Sequence, residues 1–580
     1  MITADEIATR RSVSVIDLLR DVEGVHVSQP GGRSGVPSLF LRGAEPNFTV
    51  VLIDGVRVND PNNTRGGSYD FSSITIDEIE RVEIVRGPQS SVYGSDALAG
   101  VVNIITRRPS SETSRNVDLE TGQDGLKRGQ ISTRGPLVSG LTFSAGIAHD
   151  DDGHPVEGSG YRSDTAWLTL NGQMGAATQY SVTGQMAQTD TQSFPEDSGG
   201  PDLAVIRETD RASNDEAAFG GQIEHTWNDA WLSRFTLSHY TRDDDIDSPG
   251  VAPGVRTGVP PNQSDSTLDR TTSQYLTQYS GRALRLAIGA DLCNEEGKSN
   301  GAVTVAPGFD IPTAYSINRD NLGAFIEGDY QYNESILLRA SIRADNPDDA
   351  HNLTSPQLGT ILSLPDGKTR LHLNWGEGFK LPSFFALAHP LVGNPNLEPE
   401  SATAFDVGVA REFMPNMSIQ AFAFHSEYEN LIDFDPELFT NVNRSKVTVD
   451  GIEAALRWSP TPETLITGEV TRTQIDVDPE GKLRQRPNWR GGVAIRQQLG
   501  TAWYANANWL LVDRVFDSSI PTGPVHLDGY SRLDMSVGWR VSTAVQLTFA
   551  VHNLLNDHYE EAVGFPSPQR RARLVLGFEF

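Results

Sequence analysis

Cysteine is nearly absent from this sequence, since Cys293 is the single example in 580 residues. One thiol excludes an internal disulfide and a cysteine-rich zinc site. Long apolar runs are also missing, because no stretch approaches the roughly 18 apolar residues of a membrane-spanning helix. The mean hydropathy of −0.36 is polar. Neither observation excludes a membrane β-barrel, whose strands alternate apolar and polar residues and average to a polar score.

Positive charge is scarce, with 47 Lys and Arg against 76 Asp and Glu and a net charge of −29. This balance argues against a nucleic-acid binder, which needs basic side chains to neutralise phosphates. It favours cationic ligands, divalent metals or a general role in solubility. The histidines are scattered without the spacing of a zinc protease, and neither a serine elbow nor a nucleotide loop is present. The sequence therefore indicates no enzyme.

The first 109 residues have the texture of a small α+β domain. Thr3 and Glu6 are spaced as a helix capping box. Ile16, Leu19 and Val22 share one face of a second predicted helix, which Gly24 closes. Short β-rich runs separated by Gly, Pro and Asn follow. Such a domain is able to bury a core of its own.

Residues 110–580 alternate apolar and polar positions in segments of about ten residues. In "WYANANWLL", for example, Trp503 and Trp509 share one face while Asn506 and Asn508 share the other. A single sandwich rarely exceeds about 250 residues, and the repeat of about 40 to 50 residues that a propeller requires is missing. With about 21 residues for each strand and its loop, this region predicts an antiparallel transmembrane β-barrel of about 22 strands. Polar stretches predict long external loops at residues 190–217, 242–274 and 294–318.

A barrel of that width leaks unless it is filled, and the leading domain has the size of a plug. Its motifs "LFLRG", "VVLIDGVRVND" and "IERVEIVRGPQSSVYGSDALAGVVNIITRRP" resemble the plug of TonB-dependent outer-membrane receptors. The later segments "GFKLPSFFALAHPLVGNPNLEPESATAFDVG", "VDGIEAALRW" and "VHNLLNDHYEE" resemble barrel signatures of the same family. The resemblance implies a mostly β protein with a plug domain at residues 1–109 inside the lumen of a barrel at residues 110–580. It also implies a place in the outer membrane of a Gram-negative bacterium.

Within that family, "ENLIDFDPELFTNVNRSKVTVDGIEA" and "VYGSDALAGVVNIIT" are most similar to the vitamin B12 (cobalamin) receptors. The function implied is TonB-dependent import of a scarce, large, metal-containing nutrient, with cobalamin first and a ferric siderophore or haem as the alternative. A passive porin is disfavoured because porins lack a folded plug, and a non-transporting surface receptor is a further alternative.

The implied partners are TonB of the inner-membrane energy-coupling complex, outer-membrane lipid and lipopolysaccharide, and a small-molecule metal complex as substrate. No nucleic acid is expected, and the chain is expected to be a monomer. The sequence starts at "MITADEI", with neither a TonB box nor the apolar region of a signal peptide. We expect the N-terminus to be truncated or remodelled.

The segment "RGPQSSVYGS" is expected to lie close against the barrel wall. Gly87 ends a strand, Gly94 permits backbone geometries closed to other residues, and the small residues around Tyr93 allow a close approach. The alternative is a tight turn that serves only the plug's own core.

Three plug arginines, Arg42, Arg81 and Arg86, follow or end β-rich runs. The family resemblance implies that such arginines pair with barrel glutamates, and Glu377 and Glu427 are the candidate partners. Ordinary surface arginines are the alternative interpretation.

Substrate contacts are expected from plug turns and external loops, where binding residues concentrate. The candidates are Asn47, Asn62, Ser193 and Asp245.

No cofactor is required for transport, but the acidic loops suggest calcium, which prefers several flexible oxygen ligands. The resemblance implies calcium in the substrate loops, whereas solvated acidic loops are the alternative. The candidate ligands are Asp197, Asp202, Asp210, Asp215, Asp243 and Asp245.

Overall fold

The computed structural model, which describes residues 1–479 and 481–580 apart from the side chain of Asp77, contains a closed antiparallel barrel of 22 strands with an N-terminal plug domain. The fold class predicted from the sequence is confirmed. Among the described residues, no helix is long and apolar enough to cross a bilayer.

The plug consists of seven short strands and three short helices. Its strands are β1 Ile2–Thr3, β2 Val25–Ser28, β3 Ser38–Leu41, β4 Thr49–Ile53, β5 Val56–Arg57, β6 Ile79–Arg86 and β7 Gly100–Thr106. Its helices are α1 Ala4–Arg10, α2 Val15–Leu19 and α3 Ser90–Tyr93. Short 3-10 turns lie at Pro46–Phe48, Phe71–Ser73 and Ile76–Glu78.

Local sequence explains where the plug elements begin. The predicted capping box is present, since the Thr3 side chain accepts from the Glu6 backbone N–H and the Glu6 carboxylate accepts from the Thr3 N–H at 2.9 Å. Five strands form a sheet in the order β1-β6-β7-β4-β5, with β4 and β7 parallel. Strands β4 and β7 are rich in β-branched residues and are buried at every position except Asn103, and α2 closes the core with Ile16 and Leu19.

The barrel strands follow one another around the wall, and the last pairs with the first. They are β8 Ser114–Gly122, β9 Lys127–Val138, β10 Leu141–Gly153, β11 Gly160–Met174, β12 Thr178–Ser193, β13 Asp210–Asn228, β14 Trp231–Ser248, β15 Asn262–Ser280, β16 Leu284–Ala306, β18 Tyr315–Asn333, β19 Ile336–Pro347, β20 Leu353–Ser363, β21 Thr369–Lys380, β22 Glu400–Met414, β23 Met417–Asp435, β24 Thr440–Thr461, β25 Thr464–Asp478, β26 Trp489–Leu499, β27 Trp503–Val512, β30 Tyr530–Arg540, β31 Val545–His552 and β34 Arg571–Glu579.

Smaller helices and strands lie within the connections between barrel strands. They are α4 Gly200–Leu203, β17 Phe309–Pro312, α5 Phe384–Ala388, the hairpin of β28 Val515–Ser519 and β29 Gly523–Leu527, and the pair β32 Glu560–Ala562 and β33 Phe565–Pro566.

The predicted two-residue alternation decides which side chains face outwards. Trp503 and Trp509 are 44% and 48% exposed on the outer wall, whereas Asn506 and Asn508 are buried against the interior. Many exposed outward positions around the wall are Leu, Ile, Val, Phe and Trp, as expected of a surface that faces lipid.

The two ends of the barrel differ in their connections. We call the turn end the one with short turns such as residues 139–140, 175–177 and 229–230. The loop end carries the long connections, which include residues 194–209, 249–261, 381–399, 513–529 and 553–570. Met1 lies at the turn end, beside the turn that contains Gly367.

The predicted loops are shorter than expected. Residues 242–248 and 262–274 belong to β14 and β15, and most of 294–318 belongs to β16, β17 and β18. These strands rise beyond the apolar belt, where their outer face meets water and carries polar residues. Because both faces of these strand segments carry polar residues, the sequence there lacks the apolar and polar alternation from which a strand is predicted.

Candidate functional site: the vestibule and the plug contacts

A cavity of about 920 Å³ opens above the plug at the loop end. We call it the vestibule. Plug residues form its floor, and α5, β23, β24 and the connection after β25 form its walls. Its lining includes Ser38, Phe40, Glu45, Asn47, Arg65, Ser383, Phe385, Phe434, Asn441, Arg444, Lys482, Arg484 and Arg486.

The vestibule carries six basic and four acidic side chains: Arg65, Lys380, Arg444, Lys482, Arg484 and Arg486 against Glu45, Glu196, Glu400 and Asp433. Most of these cations have carboxylate partners, as in the pairs Arg486–Glu45 at 2.7 Å, Arg484–Asp197 at 2.7 Å, Arg444–Asp433 at 3.2 Å and Lys380–Glu400 at 3.3 Å.

Two vestibule cations, Arg65 and Lys482, contact neutral groups instead of carboxylates among the described residues. Arg65 donates to the carbonyls of Val36 and Pro37 and to the Ser38 hydroxyl. The ammonium of Lys482 lies 5.6 Å from the centre of the Phe516 ring. Among the described residues these contacts are neutral, and the two cations account for the excess of basic over acidic side chains in the vestibule lining.

The predicted plug arginines meet the barrel at one buried carboxylate. Arg42 Nη2 lies 2.8 Å from Glu453 Oε1, and Arg86 Nη1 lies 3.4 Å from the same oxygen. The partner is therefore Glu453, and the candidates Glu377 and Glu427 were wrong. Both of those lie in an outward-facing row of the wall, since each is in register with exposed Thr403.

Arg81 differs from the other two arginines. Its guanidinium pairs with Glu80 at 3.0 Å and Glu83 at 2.8 Å, both on its own strand β6. Within the part of the chain that the structure describes, the expected barrel contact of Arg81 is replaced by these plug pairs.

The segment around Tyr93 lies against the wall. Gly94 has φ +72°, and a Cβ built there would lie 3.3 Å from the Arg343 guanidinium of β19. Tyr93 lines a small cavity beside the same arginine. Gly87, with φ +81°, lies beside Arg42 within the plug.

Further plug arginines and one barrel arginine hold the plug on its other sides. Arg20 pairs with Glu561 at 2.9 Å, and Arg33 pairs with Asp150 at 2.7 Å; all four side chains are buried. From the barrel side, Arg490 donates to plug carbonyls, including that of Val22 at 2.8 Å. The sequence reading missed these residues, because nothing local distinguishes them from surface arginines.

Only one predicted substrate residue, Asn47, lines the vestibule. Asn62 is buried and donates to the Thr267 carbonyl of the wall at 2.8 Å. Ser193 ends β12, and Asp245 is exposed on the outer face of β14. The vestibule residues that the sequence analysis missed include Phe385 in "SFF" and Arg484 and Arg486 in "RQR". Closely spaced aromatic or basic residues next to a proline were the available signal.

The six proposed calcium ligands do not converge. Asp215 and Asp243 are opposite one another on the exposed face of β13 and β14, and Asp245 lies on that same face. Asp197 instead pairs with Arg256 at 3.2 Å and with Arg484. Asp202 lies in α4, and Asp210 begins β13. Among the described residues, no group of three or more His, Cys, Asp or Glu is placed to hold a metal. Calcium binding stays a prediction that titration calorimetry would test.

Burial shifts the pKa of one plug carboxylate, Asp60. Burial raises the pKa of Asp60 to about 6, and the nearby charge of Asp244 on β14 adds to the rise. Arg242, Arg270 and the Asn62 backbone N–H act in the opposite direction. Asp60 is therefore a point at which protonation strengthens the seating of the plug.

Comparison with known families matches both halves of the chain. A model described as "TonB dependent receptor-like, beta-barrel" matches residues 142–554, and one described as "TonB-dependent Receptor Plug Domain" matches residues 1–101.

Individual proteins match over nearly the whole chain. Vitamin B12 transporter BtuB of Vibrio vulnificus (strain YJ016) is 28% identical over 97% of this chain and 88% of its own length. Vitamin B12 transporter BtuB of Vibrio cholerae serotype O1 (strain M66-2) is 26% identical over 100% of this chain and 92% of its own. Among solved structures, the ferripyoverdine receptor of the outer membrane of Pseudomonas aeruginosa superposes with a TM-score of 0.84 at 15% identity, over 100% of this chain and 86% of that one. At that identity the likeness concerns the fold alone.

Proposed function

This chain belongs to the TonB-dependent receptors, transporters of the Gram-negative outer membrane that interact with TonB, and we propose that its cargo is cobalamin. The vestibule is the capture site in this proposal. The apolar belt faces outer-membrane lipid and lipopolysaccharide, and the receptor works as a monomer.

The observation that carries the proposal is the mixed, mostly neutral lining of a large open cavity. Ligand sites commonly have volumes of about 300–1,000 Å³ and combine aromatic surface with a few placed polar groups. The vestibule has Phe40, Phe385 and Phe434 for apolar contact, and Asn47, Asn441 and Gln485 beside its hydroxyl side chains. Amide side chains both donate and accept, which suits a bulky ligand whose rim carries amides. The full-length similarity to two vitamin B12 transporters supports the same cargo.

Import needs energy from elsewhere. A cargo held at nanomolar Kd is bound by about 12 kcal/mol, so it leaves slowly unless the site changes. One proton charge crossing 100 mV supplies about 2.3 kcal/mol. About five such charges at the inner membrane offset the binding energy, and TonB is the partner that delivers this work.

A ferric siderophore is the second candidate, favoured by the positive excess of the vestibule. Arg65 and Lys482 have no carboxylate partner among the described residues. Ferric complexes with acidic chelators are commonly anionic, and these two side chains are placed to attract an anionic ligand.

The test is equilibrium binding of labelled cobalamin, against a panel of ferric siderophores, to the purified receptor in detergent. We expect saturable cobalamin binding that Phe385→Ala weakens about tenfold, because loss of a buried aromatic contact costs about 1–2 kcal/mol. Phe309→Ala is the matched control, since Phe309 is 61% exposed on β17 and outside the vestibule lining. Saturable binding of a ferric siderophore without cobalamin binding would replace the first candidate by the second.

A further inference from the structure

A second cavity, of about 140 Å³, lies between the plug and one side of the barrel wall. It adjoins the vestibule, because Gly66, Lys380 and Ser383 line both. Towards the turn end it reaches Tyr93, which is 37% exposed. The wall side chains in it include Arg270, Asp291, Cys293, Glu295, Arg319 and Arg343.

The charged wall side chains beside this cavity pair with one another. The pairs are Arg270–Glu295 at 2.6 Å, Arg343–Asp291 at 2.7 Å, Arg343–Asp345 at 2.8 Å and Arg319–Asp349 at 2.6 Å. All four are internal to the barrel. Movement of the adjoining plug surface therefore leaves no buried wall charge without its partner.

The plug surface on this side, Ser90–Asp96, is called the serine segment here. Neutral hydrogen bonds join it to the wall. Ser91 Oγ lies 2.9 Å from Ser341 Oγ and 2.8 Å from Gln357 Oε1. The backbone N–H groups of Phe379 and Leu381 donate to Ser90 Oγ at 3.3 Å and to Ser95 Oγ at 3.0 Å, and the Asp96 N–H donates to the Phe379 carbonyl at 3.1 Å. The one charge in the segment, Asp96, pairs with Arg57 inside the plug. Charge-assisted contacts on this side lie outside the segment, since the Arg270 guanidinium donates to the plug carbonyls of Asn59 at 2.8 Å and Arg57 at 3.3 Å.

The remaining circumference is held differently. The plug arginines Arg20, Arg33 and Arg42 each pair with a buried barrel carboxylate. Separating such a pair leaves an uncompensated buried charge, which is far more costly than exchanging a neutral hydrogen bond for one with water.

We infer that the cargo passes along this one wall, through the cavity beside Cys293, when the serine segment moves away from β19 and β21 while the arginine-pinned sides of the plug stay seated. The inference rests on the proposed import function. It identifies the path and the moving element, whichever metal complex is carried.

The chain's only cysteine reports on the path directly. Cys293 faces the cavity and is partly buried, with Thr272 Oγ1 3.5 Å from its sulfur. In cells with an active TonB system, we expect a membrane-impermeant maleimide to label Cys293 at least tenfold faster when cobalamin is being imported. Cys293→Ser gives the blank. A cysteine at buried, inward-facing Ser163 of β11, in the Cys293→Ser background, should remain protected.

Matched tethers test the moving element. In the Cys293→Ser background, Ser91→Cys with Ser341→Cys ties the serine segment to β19, where the native hydroxyl oxygens are 2.9 Å apart. Thr75→Cys with Thr165→Cys ties the plug to β11, where they are 2.7 Å apart. We expect the first disulfide to reduce uptake at least tenfold, with binding intact and uptake restored by reduction, and the second to leave uptake within twofold.

Three outcomes overturn the inference: both tethers block uptake, neither does, or only the β11 tether does. Protection of Cys293 during active import also overturns it, and this measurement decides the matter if a tether does not form. Failure of the untethered parent to bind or import cobalamin would instead refute the proposed function, so the two failures are distinguishable.

Discussion

Replacing Glu453 by Gln should destabilise the seated plug more than replacing any other carboxylate that contacts Arg42 or Arg86. The Glu453 side chain is 1% exposed and is shared by both arginines, at 2.8 and 3.4 Å. Removing one partner of a buried ion pair costs about 3–5 kcal/mol, because the remaining charge is left uncompensated. Asp406, 3.7 Å from Arg42, recovers only part of this loss.

Hydrogen exchange of the β6 and β7 amides in detergent measures the effect as an opening free energy. A loss of about 3–5 kcal/mol corresponds to exchange faster by about 100- to 4,000-fold. Glu427→Gln is the control, since Glu427 lies on the outer face and pairs with Lys446 at 3.1 Å in solvent; we expect no measurable change. Equal exchange in both variants and the wild type would show that the buried carboxylate does not hold the plug.

Two further predictions concern the plug. Asp60 has its pKa raised from 3.8 to about 6, so the stability it contributes is complete below about pH 4 and is lost as pH rises through 6. Through Asp60, plug opening measured by exchange should therefore cost up to about 3 kcal/mol more at pH 4 than at pH 7, and Asp60→Asn should remove this part of the pH dependence. Gly100 has φ +152°, and a Cβ there would lie 2.1 Å from the Val85 carbonyl oxygen. Gly100→Ala should destabilise the plug by about 2–5 kcal/mol, whereas Gly55→Ala, with open space around the added carbon, should cost about 1 kcal/mol; equal losses would contradict the steric argument.

The barrel was predictable because each strand repeats the same apolar and polar alternation. Lipid on one side and polar protein on the other impose the two-residue alternation of "WYANANWLL". The capping box at Thr3 and the plug strands were predictable for a different reason, since each depends on residues that are close in sequence. The loop predictions were wrong where barrel strands extend beyond the apolar belt and carry polar residues on both faces, as near Asp243 and Asp245.

The partner of Arg42 was not predictable in this way. Glu453 is 411 positions away in sequence. The two residues meet only because the barrel closes and the plug has one orientation inside it. The strand that carries Glu427 also departs from the usual alternation. Aromatic Phe424 and Tyr428 face inwards, because Arg42 lies 4.6 Å from the Phe424 ring centre and Phe48 stacks on Tyr428 at 5.3 Å. An apolar row that in most strands faces lipid here faces the plug.

The distribution of charge across the plug boundary sets how much work an opening requires. Three plug arginines paired with buried barrel carboxylates, at about 3–5 kcal/mol each, sum to about 9–15 kcal/mol for release of the whole plug. The serine segment is attached by five neutral hydrogen bonds among the described residues, each worth about 0.5–1.5 kcal/mol, or about 3–8 kcal/mol together. At about 2.3 kcal/mol for each proton charge crossing 100 mV, full release needs about four to seven charges beyond those that offset cargo binding, and local opening needs about one to three. A receptor driven by a finite proton gradient therefore opens first along the wall whose charges are already paired with one another.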